Sequence, residues 1–75
     1  NPFNPTTTIR FSVDGYVSLQ IYDITGRLVE TLIEDRMPIG DYEVRWDASE
    51  YSSGLYFIRL SLGDKTYTRK TLLLK

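Results

Sequence analysis

Apolar and polar residues alternate with a period of two along most of this chain. Ile9, Phe11 and Val13 alternate with Thr8, Arg10 and Ser12, and Val17, Leu19 and Ile21 alternate with Ser18, Gln20 and Tyr22. No segment sustains a comparable helical period, and β-branched and aromatic residues are frequent throughout, which suits a pleated surface. The pattern predicts strands near 7–13, 16–23, 27–33, 41–46, 54–62 and 65–74. Turn residues punctuate them: Asp14-Gly15, Thr25-Gly26, Pro38 with Gly40, Ser52-Ser53-Gly54, and Gly63-Asp64. The expectation is all-β, with six antiparallel strands, or seven if the last is split. That density belongs to a sandwich or a barrel.

Register follows from parity. A two-residue turn at Asp14-Gly15 would put the two apolar sets on opposite faces. A three-residue loop, Asp14 to Tyr16, pairs Val13 with Val17, Phe11 with Leu19 and Ile9 with Ile21, and is the expected hairpin. The same reasoning after Asp23 gives a loop of Ile24, Thr25 and Gly26. Asp23 then faces Arg27, Ile21 faces Val29 and Val17 faces Ile33. The alternative would set Glu30 opposite Ile21 and bury a carboxylate, at a cost of several kcal/mol.

Composition narrows the function classes. The chain has 75 residues and no cysteine, so no disulfide or thiolate metal site forms. It has no histidine either, which removes the usual general base and zinc ligand. Nine basic and ten acidic residues give a net charge of −1, and nothing in that balance points to nucleic acid or an anionic membrane. No apolar run approaches the length of a transmembrane helix. With 41% hydrophobic residues and six tyrosines the chain is too apolar for a disordered tail. A small globular module without enzymatic activity and without cofactors is expected. It opens Asn1-Pro2-Phe3-Asn4-Pro5 with neither Met nor signal peptide, so residues 1–6 read as a linker and 7–75 as one domain of a longer protein.

Candidate chemistry is sparse. Glu34 with Asp35 is expected in a loop, Asp41 with Glu43 on one strand face, and Asp47 with Glu50 around a turn. Each pair reads as solvated surface, since a sandwich this small has little room for a cleft. Asp47, Glu50 and the nearby serines lack the spacing of a calcium loop, and Asp47 is expected to close the turn after Trp46. Tyr16, Tyr22, Tyr51 and Tyr67 are the candidates for a sugar-binding platform, although Tyr16 and Tyr22 fall off the core face by parity. A Gly-x-Tyr echo carries more structure: Gly40-Asp41-Tyr42 leads into Val44 and Trp46, and Gly54-Leu55-Tyr56 leads into Ile58 and Leu60. In both, Gly relieves a corner while Tyr packs inward and its hydroxyl reaches a backbone group, as in the tyrosine corner of immunoglobulin-like sandwiches. The last strand, Lys65 to Lys75, has four basic residues and no acid. It reads either as an edge protected against aggregation or as a tag that a partner captures by strand addition.

These motifs, in this order, resemble a known bacterial family. Asn1-Pro2-Phe3-Asn4-Pro5, Thr7 to Phe11, Val17 to Arg27, Gly40 to Tyr42 with Trp46-Asp47, Ser53 to Phe57 and Arg69 to Lys75 are similar to the type A C-terminal sorting domains of the type IX (Por) secretion system. The flagellar hook-cap immunoglobulin-like domain is similar as well. The resemblance implies a small immunoglobulin-like antiparallel β-sandwich that does no chemistry. It implies targeting of a periplasmic cargo through the outer-membrane translocon to the cell surface or the medium. The implied partners are the translocon and its shuttle proteins, a surface sortase-like cysteine peptidase and the upstream cargo domain. The implied recognition residues are Gly40, Tyr42, Gly54, Tyr56, Lys70, Leu73, Leu74 and Lys75. A short loop at Asp14-Gly15 departs from the family pattern. The rival readings are a carbohydrate-binding accessory module of a secreted hydrolase and a structural immunoglobulin-like spacer.

Overall fold

The computed structural model describes residues 6–74. The linker motif Asn1 to Pro5 and the terminal Lys75 lie outside the described residues. The chain is all-β, with β1 at Thr6–Asp23, β2 at Leu28–Asp47, β3 at Gly54–Leu62 and β4 at Lys65–Leu73. These form one open antiparallel sheet in the order β2-β1-β3-β4. Among the described residues there is no helix, and so none long and apolar enough to cross a membrane.

Four strands stand where six or seven were expected, because two expected turns are bends within continuous strands. The segments 7–13 and 16–23 are both parts of β1, and 27–33 and 41–46 are both parts of β2. The expected hairpin at Asp14 to Tyr16 is therefore absent. Val13 faces Gly40 and Val17 faces Asp35 across the β1–β2 ladder, rather than each other. Parity could not separate the alternatives: Val13 and Val17 share a face in an unbroken strand as well as across a three-residue loop. Ile9, Phe11, Val13, Val17, Leu19 and Ile21 are all buried along one face of β1. At the bend the ladder slips between Val13 and Gly15, and Pro38 and Ile39 of β2 have no partner there. Pro38 has no N–H to donate, so a bulge on an edge strand is a position it can occupy. Glu34 and Asp35, expected in a loop, lie within β2.

The β1–β2 turn has the expected three-residue loop. The Asp23 amide donates to the Arg27 carbonyl at 2.9 Å, and the Gly26 amide donates to the Asp23 carbonyl at 3.0 Å. Gly26 has φ +87°, a conformation that favours a residue with no Cβ. The Asp23 carboxylate accepts from the Thr25 hydroxyl at 2.6 Å and lies 3.3 Å from the Arg27 guanidinium. The Thr25 hydroxyl and the Arg27 amide hold its pKa below the usual carboxylate range.

Beyond that turn the expected register fails. Ile21 faces Glu30 and Val17 faces Asp35, instead of Val29 and Ile33. Irregularities between Ile21 and Tyr22 and between Leu19 and Gln20 each add a residue to β2. They turn both Leu32 and Ile33 toward the core and bring Glu30 beside it.

The curl of the sheet lets its distant parts share one core. Residues 6–13 of β1 pair with β2 and have no partners on β3, yet Ile9 lines a groove together with Ile58, Leu60, Tyr67 and Arg69. Trp46, at the end of β2, is 1% exposed and packs edge-on against Tyr56 of β3 with ring centroids 5.6 Å apart. Strand alternation thus supplies the apolar face, and the bends wrap that face around itself.

Candidate functional site

The two Gly-x-Tyr segments form the corners predicted for them. The Tyr42 hydroxyl donates to the Pro38 carbonyl at 2.7 Å, and the Tyr56 hydroxyl donates to the Ser52 carbonyl at 2.8 Å. In each, the hydroxyl reaches back to a carbonyl four residues earlier in the chain, and the Tyr42 ring also passes close to Gly40. Tyr56 is buried, and Tyr42 is half-buried with its ring stacked at 6.0 Å on Phe11. Gly54 has φ +153°, which an L side chain rarely adopts, so the entry into β3 depends on that glycine.

Gly54, Tyr56, Lys70, Leu73 and Leu74 gather at one end of the β3–β4 pair. Gly54 faces Leu73, Tyr56 faces Thr71 and Phe57 faces Lys70. Leu73 is 6% exposed and belongs to the core, whereas Leu74 is 58% exposed. Lys70 is exposed on the sheet face opposite the core, beside Phe57. Gly40 and Tyr42 are not part of this group. They lie on β2, with Gly40 six positions before Trp46, roughly 20 Å along an extended strand. Lys75 lies outside the described residues.

Beneath the β3–β4 end sits an aromatic cluster that the sequence reading did not assemble. Trp46, Tyr51 and Tyr56 pack mutually, with centroids 5.6 to 6.2 Å apart. Glu30 ties it together: its Oε1 accepts from Trp46 Nε1 at 3.0 Å and from the Tyr51 hydroxyl at 2.9 Å. Two charge-assisted hydrogen bonds offset the desolvation of this half-buried carboxylate, the cost that had argued against placing it opposite Ile21. Burial, reinforced by the hydrogen bond to Glu30, pushes the Tyr51 pKa above its ordinary value. A lone acid within an apolar stripe was the available signal for this role.

The remaining candidates disperse. Asp41 accepts from the Ser12 hydroxyl at 2.6 Å, Glu43 pairs with Arg10 at 3.4 Å, and both side chains lie on the exposed face of β2. Asp47 accepts from the Ser49 amide at 3.0 Å and closes the turn after Trp46, as expected. Among the described residues, no three acidic side chains gather into a group that could hold a metal ion. The four tyrosines weighed as a sugar platform do not share a surface. Tyr51 is in the aromatic cluster, and Tyr67 is on the core-side face of β4. Tyr16 and Tyr22 lie off the core face, and the Arg59 guanidinium covers the Tyr22 ring at 5.3 Å.

What remains continuous and accessible is β4 itself. Among the described residues it pairs with β3 on one side only and forms an edge of the sheet, and residues 65–70 are all exposed. No curated protein and no solved structure matches the chain. Residues 1–74 match the family described as the secretion system C-terminal sorting domain. With all but one of its residues inside that match, and its last strand laid along an open sheet edge, the chain belongs to the secretion system C-terminal sorting domain family and carries a secretion-sorting signal.

Proposed function

We propose that the chain is a non-catalytic module of the type A, hook-cap-related class. It passes a folded periplasmic cargo, attached upstream, through the type IX outer-membrane translocon for attachment at the cell surface or for release. Residues 7–75 form the sorting domain and 1–6 its linker. Shuttle proteins escort the cargo, and a surface sortase-like cysteine peptidase processes it. The curled sheet acts as a small immunoglobulin-like sandwich whose two long, bent strands each supply a strand to both layers. In this reading Gly40, Tyr42, Gly54 and Tyr56 fix the shape that displays the last strand. Lys70, Leu74 and Lys75 are read by the export machinery, and Leu73 anchors the strand in the core. The observation that carries the reading is the position of β4, an exposed sheet edge with three basic residues and no acid between Lys65 and Leu73.

The test is a fusion of the chain to the C-terminus of a periplasmic fluorescent reporter, made in a bacterium that has a type IX system. The reporter is expected at the cell surface or in the medium with the chain attached, and in the periplasm without it. Equal distribution of the two would refute the proposal.

A further inference from the structure

The two outermost strands of the sheet differ in a way that bears on how a partner engages. The β1–β2 ladder carries three register irregularities, and Pro38 removes an amide donor from β2. Breaks of this kind spoil a strand as a template for another chain. The β3–β4 ladder runs through nine consecutive pairs, Gly54↔Leu73 to Leu62↔Lys65, with no irregularity and no proline. The free side of β4 is therefore the regular edge. The flank of β1 over residues 7–13 that β2 leaves open carries one charge, Arg10, already paired with Glu43.

The side chains along β4 define what that edge selects. Lys65, Tyr67 and Arg69 fall on the core-side face, and Lys70 falls on the opposite face. A strand laid beside β4 meets cations on both faces and no carboxylate on β4. On the core side, a groove of about 150 Å³ between Ile9, Leu60, Tyr67 and Arg69 opens beside β4, and Tyr67 remains 53% exposed at its rim. A further strand in this position would cover the groove and extend the layer by main-chain hydrogen bonds. Pairing of β4 with β4 of a second copy would juxtapose like charges.

We infer that the partner that reads this domain contributes an extended, acidic β-strand, which adds to the free side of β4. Its carboxylates lie opposite Lys65 and Arg69 on one face or Lys70 on the other, and an apolar side chain of the strand covers the groove at Tyr67. This rests on the sorting reading and names the chemistry of the receptor element.

The test uses two nine-residue peptides, one alternating glutamate with valine and the other lysine with valine, added to the isotope-labelled chain. Amide chemical shifts and hydrogen exchange provide the readout. The acidic peptide is expected to slow exchange of the β4 amides that face solvent, and the basic peptide to leave them unchanged. Replacing Arg69→Glu together with Lys70→Glu, both exposed, is expected to weaken binding of the acidic peptide about tenfold or more. Absence of β4 protection, equal protection by the basic peptide, or protection confined to β2 would overturn the inference. The reporter fusion keeps the two ideas apart. Normal export without peptide protection removes the strand-addition mechanism alone, and peptide protection without export removes the sorting role and leaves the edge intact.

Discussion

Removing the Tyr56 ring is the sharpest perturbation of the corner that sets β3 and β4. Tyr56 is 8% exposed, touches Trp46 and Tyr51, and donates its hydroxyl to Ser52. Tyr56→Phe keeps the ring and loses one hydrogen bond, worth about 0.5–1.5 kcal/mol. Tyr56→Ala loses the ring as well and leaves a cavity beside Trp46, for a total of about 3–5 kcal/mol. A domain of this size has roughly 4–11 kcal/mol in all, so the alanine variant loses a large share of it and the phenylalanine variant a small one. Trp46 is the sole tryptophan and is 1% exposed, so its fluorescence reports the transition directly. With a urea slope near the small-protein value of about 1 kcal/mol per molar, Tyr56→Phe shifts the midpoint by about 0.5–1.5 M. Tyr56→Ala is expected to lower it by about 3–5 M, which leaves no folded baseline when the parent midpoint is below that value. An alanine variant that melts within about 0.5 M of the parent would refute the role of Tyr56 as a core anchor.

Other expectations follow from the same contacts. Glu30→Ala leaves the buried Trp46 Nε1 without its acceptor and is expected to cost about 1–3 kcal/mol by urea unfolding. The same change is expected to bring the Tyr51 pKa down toward its ordinary value in an ultraviolet titration, because the Glu30 carboxylate contributes to raising it. Gly54→Ala forces a side chain into φ +153° and is expected to cost about 1–3 kcal/mol; an unchanged urea midpoint would count against strain there. Asp23 has a folded pKa below its unfolded value of about 3.9. Its stabilising contribution is therefore present above that unfolded value and is lost as pH falls through the folded one. Asp23→Asn is expected to flatten the acid limb of the stability curve, and an unaltered limb would contradict this.

How far the sequence reveals this architecture differs from residue to residue. The buried face of β1 follows directly from alternation, and β3, β4 and the Gly63-Asp64 turn stand where turn chemistry puts them. The Gly-x-Tyr corners were legible because glycine permits the bend into a strand and an inward-packed tyrosine needs a partner for its hydroxyl. Asp14-Gly15 and Pro38 misled because the residues that make turns also make bulges and bends. Two continuous strands with a bend satisfy the same side-chain parity as two hairpins. The neighbours of Glu30 were hidden for a related reason: one extra residue at a bulge changes every later pairing, and nothing in the local pattern requires that residue. Lys70 and Leu74 were recognisable as belonging to the final strand. Their separation from Leu73, which is in the core, follows from the pairing of β4 with β3.

The most direct measurement is delivery of a fused reporter after only Leu74 and Lys75 are deleted. Leu73 then keeps its place in the core, and Trp46 fluorescence verifies the fold. Retention of the folded, shortened fusion in the periplasm is the predicted result. Arrival of that fusion outside the cell at the level of the intact chain would contradict a signal read at Leu74 and Lys75.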